Sequence, residues 1–274
     1  MKIFREPAKL QKWAKAQSKA GKTIALVPTM GYLHEGHLSL IETAKKKGAD
    51  EIIVSVFVNP VQFGPNEDYE KYPRDEKADL AKCRAAGATA ILFPTPANMY
   101  LERHSVYVNE EDLSKGLCGG RRPGHFRGVC TVVAKLFNLA HADFAVFGQK
   151  DYQQAQVIRR MVRDLNFDLK IIVAPIVREP SGLARSSRNT YLSAEEKTRA
   201  LALSQALKTV TVGKTVAAEK KRVAAFLEKA GLAVDYVEIV DGETLEPVKK
   251  VAKGVCTLLA VYDGKTRLID NRVI

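Results

Sequence analysis

Two histidines three residues apart, a lysine just past an apolar run, and a cluster of serines and arginines are the residues of this chain best suited to handling phosphate. The histidines lie in V-P-T-M-G-Y-L-H-E-G-H, Val27 to His37, which joins an apolar run to an amphipathic one. At that spacing His34 and His37 share one side of a first helical turn. Gly36 removes a side chain between them, so a base or phosphate can approach the backbone. A helix N-terminus adds unpaired N–H groups and a positive partial charge. The set suits a triphosphate under attack at its α-phosphorus. An incidental histidine pair and a metal site are the competing readings. H-E-G-H is one residue short of the H-E-x-x-H zinc motif and has no evident third ligand.

Three further segments carry chemistry. G-L-A-R-S-S-R-N, Gly182 to Asn189, offers Ser186 and Ser187 hydroxyls between the cations Arg185 and Arg188. Short donors beside an arginine fork are a polyphosphate clamp by type, although such loops are often plain exposed turns. F-G-Q-K-D-Y-Q-Q, Phe147 to Gln154, sets Lys150 at a helix start. A cation is unfavourable there unless an anion is beside it; the alternative is a surface lysine on a turn. In F-V-N-P-V-Q-F, Phe57 to Phe63, Asn59 and Gln62 are neutral donors among apolar residues. They suit a ligand with hydroxyls and a carboxylate, or form an ordinary strand-to-loop cap. No P-loop is present. Gly21-Lys22-Thr23 and Gly213-Lys214-Thr215 follow Ala16 and Lys208, where the first glycine would stand.

The elements that must position these residues alternate strand and helix through the first two-thirds. Strands are expected over Thr23–Val27, Glu51–Val58, Thr89–Phe93, Asp143–Phe147 and Lys170–Val177. Helices are expected over Leu38–Lys47, Asp75–Ala86, Gly128–Ala140 and Asp151–Leu165, with an irregular stretch over Glu110–Gly124. Such alternation predicts a Rossmann-like, doubly wound parallel sheet. Ligands then bind beyond the carboxyl ends of the strands. That rule selects Pro28–His37, Asn59–Phe63 and Gly148–Gln154. After Arg178, helices over Ala194–Val210 and Thr215–Ala230 precede strands near Val234–Val240, Val255–Tyr262 and Thr266–Ile269. The expected division is therefore 1–177 and a smaller α+β domain, 178–274.

The 274 residues suit one large or two modest domains, since single cores stop growing at roughly 250–300 residues. With 46% hydrophobic residues and a mean hydropathy of −0.15, a buried core is expected rather than a disordered chain. No apolar run approaches the ~20 residues of a membrane span, and Met1–Gln11 lacks a leader's apolar stretch. A cytoplasmic protein is expected. Cys83, Cys118, Cys130 and Cys256 form no C-x-x-C pair and read as free thiols. The net charge of +12 is spread along the chain, so it favours small polyanions over nucleic acid.

Taken together, the motifs resemble those of the pantothenate synthetase family. P-T-M-G-x-L-H-x-G-H, F-V-N-P-x-Q-F, R-P-G-H-F-R-G, F-G-x-K-D-x-Q-Q and S-S-R-N stand at Pro28–His37, Phe57–Phe63, Arg122–Gly128, Phe147–Gln154 and Ser186–Asn189. L-I-D-N at Leu268–Asn271 extends the match to nearly the whole chain. The resemblance implies a Rossmann-like domain holding ATP and pantoate, a C-terminal lid, Mg²⁺ and a homodimer. It implies that His34, His37, Lys150, Ser186, Ser187 and Arg188 contact ATP phosphates. Met30, Gly31, Tyr32, Leu33, Glu35, Gly36, Gly148, Gln149, Asp151, Val177 and Arg185 would surround the nucleotide. Gln62 and Gln154 would hold pantoate, with Asn59 nearby. No side chain is assigned to the metal. Arg185 stands where many relatives carry Leu or Met, and adds a cation beside the clamp. Gly64–Pro73, polar and turn-rich, is the expected flap over a water-sensitive acyl-adenylate. Two other functions compete with this one. A nucleotidylyltransferase moving AMP onto a phosphate would need more cations than Gln62 and Gln154 supply. A nucleic-acid binder would need aromatics interleaved with a basic face, and aromatics are 7%.

Overall fold

The computed structural model describes residues 1–65 and 67–274; Asn66, within the expected flap, lies outside the described residues. The strands are β1 (Lys2–Phe4), β2 (Ile24–Thr29), β3 (Glu51–Val56), β4 (Ala90–Leu92), β5 (Phe144–Gly148), β6 (Lys170–Ala174), β7 (Ala233–Asp241), β8 (Val255–Asp263) and β9 (Thr266–Val273). The helices are α1 (Pro7–Lys19), α2 (Glu35–Lys46), α3 (Glu76–Ala86), α4 (Pro96–Met99), α5 (Leu117–Arg121), α6 (His125–Ala140), α7 (Tyr152–Asp164), α8 (Ala194–Lys208) and α9 (Val216–Lys229). The chain divides into two compact units. One holds 1–148 and 157–174, the other 149–156 and 175–274. Segment 149–156, which the strand–helix alternation places in the first domain, groups with the second unit.

The first unit is built on a parallel six-stranded sheet of order β1-β4-β3-β2-β5-β6. The expected doubly wound sheet is therefore present, and its strand order reverses between β2 and β5. Helix α2 packs on β2, β3 and β5 and against α3, while α6 packs on β2 and against α1. β3 is buried from Glu51 to Ser55, as a strand covered on both faces must be. Its one charge, Glu51, is matched by Lys22 at 2.5 Å. Ile41, Ala44, Val54 and Ile91 are fully buried in the core between the sheet and α2 and α3. Helix α3 begins where the Asp75 carboxylate accepts from the Ala78 N–H and stops at Gly87, whose φ is 95°.

β1 and α1 lie outside the elements expected from sequence. α1 is lysine-rich and buries only Leu10 and Ala14, so its apolar face is too narrow to stand out. Leu117–Arg121 forms a short helix inside the stretch expected to be irregular, and β6 stops at Ala174 rather than Val177.

The second unit is α+β, with an antiparallel sheet of order β7-β8-β9. Leu203, Leu207, Val223, Leu227, Leu259 and Val261 belong to its core. Helix α8 starts at a capping box: Ser193 Oγ accepts from Glu196 N–H, and Glu196 accepts from Ser193 N–H. Among the described residues no helix is long and apolar enough to cross a membrane.

None of the four cysteines is in a disulfide, and only Cys118 is half-exposed. Burial pushes the Cys83, Cys130 and Cys256 thiols up to about 12. Since the thiolate is the reactive form, the native protein should show one rapidly titrating thiol with a disulfide reagent and four in urea. Rapid reaction of more than one native thiol would contradict this packing.

Candidate active site

In the first unit, the histidine segment leaves the end of β2 and enters α2. His34 is the N-cap, and its Nδ1 accepts from Gly36 N–H at 3.1 Å. His37 Nδ1 accepts from His34 N–H at 3.3 Å. Each imidazole thus spends Nδ1 as an acceptor, which assigns the ring proton to Nε2. The rings lie 4.1 Å apart, centroid to centroid. Two N–H donors are therefore presented together at a helix N-terminus, where the dipole favours an anion.

The loop before them is held from behind by α3. Asp79 is 1% exposed, and its carboxylate accepts from Tyr32 N–H at 2.8 Å and Leu33 N–H at 2.7 Å. Lys82 Nζ donates to the Leu33 carbonyl at 2.6 Å. Burial raises the Asp79 carboxyl above its usual range despite these two amide bonds. Gly31 has φ 89°, and a Cβ there would meet Val56 at 2.8 Å and Asp79 at 3.0 Å. Tyr32 also adopts a left-handed φ, 51°. Backbone of this kind persists only where its surroundings enforce it. Asp79 does not stand out in the sequence. The available signal was a carboxylate one turn before the buried Cys83 on the same helix.

Past β3, Asn59 is 1% exposed and fully engaged within the protein. Its Nδ2 donates to Gln62 Oε1 at 3.0 Å and to the Gly128 carbonyl at 3.1 Å. Its Oδ1 accepts from Tyr100 Oη at 2.7 Å and Val61 N–H at 3.3 Å. Gln62 Nε2 in turn meets Met30 Sδ at 3.1 Å. Met30, expected at the nucleotide, thus contacts the Gln62 carboxamide.

The R-P-G-H-F-R-G motif supports this same corner. Arg122 has no acceptor, so its contact to His125 Nε2 at 3.0 Å makes that nitrogen the acceptor. His125 Nδ1–H then donates to the Gln62 carbonyl at 2.9 Å. Arg122 also forks onto Glu67 with two 2.6 Å bonds, reaching into the expected flap. Burial pushes the Glu67 carboxyl up, but the Arg122 guanidinium outweighs it and the net shift is downward. Gly128 is required for contact: a Cβ would lie 2.5 Å from the Val61 carbonyl and 2.6 Å from Gln62 backbone.

In the second unit, Gln149–Asp151 forms a 3₁₀ turn before α7. Lys150 is 20% exposed, 3.9 Å from Asp151, and Gln154 is half-buried. Arg185 N–H bonds the Val177 carbonyl at 2.9 Å, folding the serine–arginine loop back on its approach strand. Ser186 Oγ accepts from Arg188 N–H at 3.3 Å, which leaves the hydroxyl proton to donate. Asn189 Nδ2 bonds the Ala184 carbonyl at 3.0 Å. The extra cation Arg185 lies 3.3 Å from Glu179, so its charge is met by a carboxylate inside the loop.

Residues 2–273 match the family described as pantoate-beta-alanine ligase. A pantothenate synthetase of Clostridium novyi is 53% identical over 268 residues, covering 96% of this chain and 94% of that protein. The crystal structure of a pantothenate synthetase from Thermus thermophilus superposes with a TM-score of 0.93 at 41% identity, covering 100% of this chain and 99% of that one. A pantoate-beta-alanine ligase from Francisella tularensis, solved with beta-gamma ATP and beta-alanine, gives 0.85 at 32% identity, covering 100% and 97%.

Replacing Asp79 by Asn puts an amide NH₂ against one of the two N–H groups it now serves. The expected loss is about 1–3 kcal/mol of stability, as for a buried donor left unpaired. Amide exchange at Tyr32 and Leu33 should quicken while that at Val54 does not. Unchanged exchange at both would mean that the carboxylate does not hold the loop.

Proposed function

This chain belongs to the pantoate-beta-alanine ligase family, and we propose on that premise that it condenses pantoate with β-alanine, converting ATP to AMP and pyrophosphate. The histidine pair supports this function: both Nδ1 atoms are tied to backbone N–H groups, which sets the two rings side by side at the N-terminus of α2, where the dipole favours an anion. A carboxylate cannot lose oxide at neutral pH, so it must first become an ester of a good leaving group. In the first step a pantoate carboxylate oxygen attacks the α-phosphorus. The bond from that phosphorus to the bridging oxygen breaks, and pyrophosphate leaves with the electron pair. In the second step the β-alanine amine attacks the acyl carbon and loses a proton, and AMP leaves.

His34 and His37 donate to the phosphates in this scheme, together with Lys150, Ser186, Ser187 and Arg188. Donors set in place before charge develops are worth about 10²–10³ each in rate. Met30, Gly31, Tyr32, Leu33, Glu35, Gly36, Gly148, Gln149, Asp151, Arg185 and the Val177 backbone line the nucleotide. Gln62 and Gln154 bind pantoate as neutral hydrogen-bonding groups, and Asn59 orients Gln62. Neutral carboxamides suit an acceptor with hydroxyls, whereas a phosphate acceptor would call for cations. Among the described residues no cluster of three His, Cys, Asp or Glu could cage a metal. Mg²⁺ keeps most of its shell as water and phosphate oxygens, so it enters as part of the MgATP substrate. We assign a homodimer on the family resemblance, which sedimentation would test.

Pantoate labelled with ¹⁸O in its carboxylate should yield AMP carrying one label per turnover and unlabelled pyrophosphate. ADP formation, or label in orthophosphate, would sink the adenylate route. Gln62→Ala should cost about 1–3 kcal/mol, roughly 5- to 150-fold in kcat/KM for pantoate, because the substrate's buried polar groups lose a partner. A change confined to the apparent affinity for ATP would show the pocket to be misassigned.

A further inference from the structure

The L-I-D-N motif near the end of the chain takes no part in the scheme above, yet its last two residues are among the most buried polar side chains of the second unit. Asp270 is 3% exposed and Asn271 2%. They are neighbours on β9, so their side chains leave opposite faces of the strand. Polar burial on both faces of an edge strand is costly unless each group is paired.

The pairing is specific. Asn271 Nδ2 donates to the Gln149 carbonyl at 2.9 Å and to the Lys150 carbonyl at 2.9 Å. Its Oδ1 accepts from Gln149 Nε2 at 3.2 Å. One carboxamide thus grips both backbone carbonyls of the turn that carries Lys150, and one side chain of that turn grips it in return. Tyr152, the first residue of α7, adds a second anchor directly after the turn, donating its hydroxyl to the Gly242 carbonyl at 2.7 Å.

On the other face, the Asp270 carboxylate takes a bidentate bond from Arg178 at 2.7 and 2.9 Å, and its Oδ1 also accepts from Asn271 N–H at 2.8 Å. Arg178 bonds the Gly182 carbonyl at 3.1 Å, at the head of the serine–arginine loop. The two anion-handling segments of this unit are therefore both tethered to adjacent residues of one strand.

We propose that Asn271 is a positioning residue for adenylate formation, acting through Lys150 by fixing the two carbonyls of its turn. The proposal rests on the assignment of Lys150 to the ATP phosphates. A general base or ligand role for Asn271 does not fit, because its donors and its acceptor are all occupied by Gln149 and Lys150. A misplaced ammonium loses its effect quickly, since the benefit of a preorganised donor depends on its placement before charge develops.

The test is a double-mutant cycle read on pantoate-dependent pyrophosphate release, with amide exchange over 149–156 as a readout independent of activity. Asn271→Asp keeps the shape and the acceptor but removes both donors. It should lower kcat roughly tenfold or more, change the KM for pantoate by less than about threefold, and speed exchange over 149–156. In a Lys150→Ala background the same substitution should cost no more than about twofold, because the group it positions is gone. Asn271→Ser, which retains one donor, should fall between wild type and Asn271→Asp and serves if the aspartate variant does not fold. Equal fold-losses in the two backgrounds, or unchanged exchange over 149–156, would overturn the inference. So would full activity of Lys150→Ala. If the wild-type protein released no pyrophosphate with ATP and pantoate, the assigned reaction would fail, while the exchange result would still decide whether Asn271 holds this turn.

Discussion

The buried carboxylate of Asp79 is the interaction on which the first unit's chemistry depends. It accepts the amides of Tyr32 and Leu33 from a helix that is distant in sequence. Without it, a left-handed Gly31 and a left-handed Tyr32 would have to hold their conformations alone. Leaving two buried amides unpaired would cost on the order of 1–3 kcal/mol each. The burial that lifts the Asp79 carboxyl shields those two bonds from water and so makes them discriminating. The result is a rigid entry to α2, at which His34 and His37 become caps rather than solvent-facing side chains.

The same device recurs around Gln62 and Lys150, with different atoms. A side chain expected to meet a ligand is steered by a second polar side chain whose own hydrogen bonds are all made inside the protein. Asn59 and His125 do this for Gln62, gripping its carboxamide and its carbonyl. Asn271 does it for Lys150 through two backbone carbonyls. In both cases a carboxamide or imidazole suits the task because it can donate and accept at once without carrying charge into the interior.

Arg122 joins flap and core differently. Its guanidinium spans Glu67 and His125, so the carboxylate on the turn-rich segment and the ring behind Gln62 share one planar donor. The Glu67 bonds are present above the ordinary carboxylate range and are lost as pH falls through the lowered Glu67 value, since that group is depressed in the folded state. Order in this corner of the first unit is thereby tied to an ion pair less than one-third exposed on either side.

Legible in the chain were the alternation of strands and helices, the parallel sheet, the α+β character of the last hundred residues and the segments expected to carry chemistry. These follow from local signals: apolar periodicity, Asp75 and Ser193 as caps, Gly87 as a stop, and donors clustered past strand ends. It also held Asp79, Asn271 and Arg122 in plain view, Arg122 and Asn271 inside recognisable motifs, yet nothing local said what they bond. The Tyr32 and Leu33 amides, the Gln149 and Lys150 carbonyls and the Glu67 carboxylate that they bond lie 46 to 47, 121 to 122 and 55 residues away respectively. Those pairings follow from the folded chain alone, because a buried polar side chain is satisfied by whatever the fold brings to it, and periodicity carries no record of that. For the same reason the segment 149–156, which follows β5 in the chain, groups with the second unit: its carbonyls and the Tyr152 hydroxyl find their partners on β9 and at Gly242.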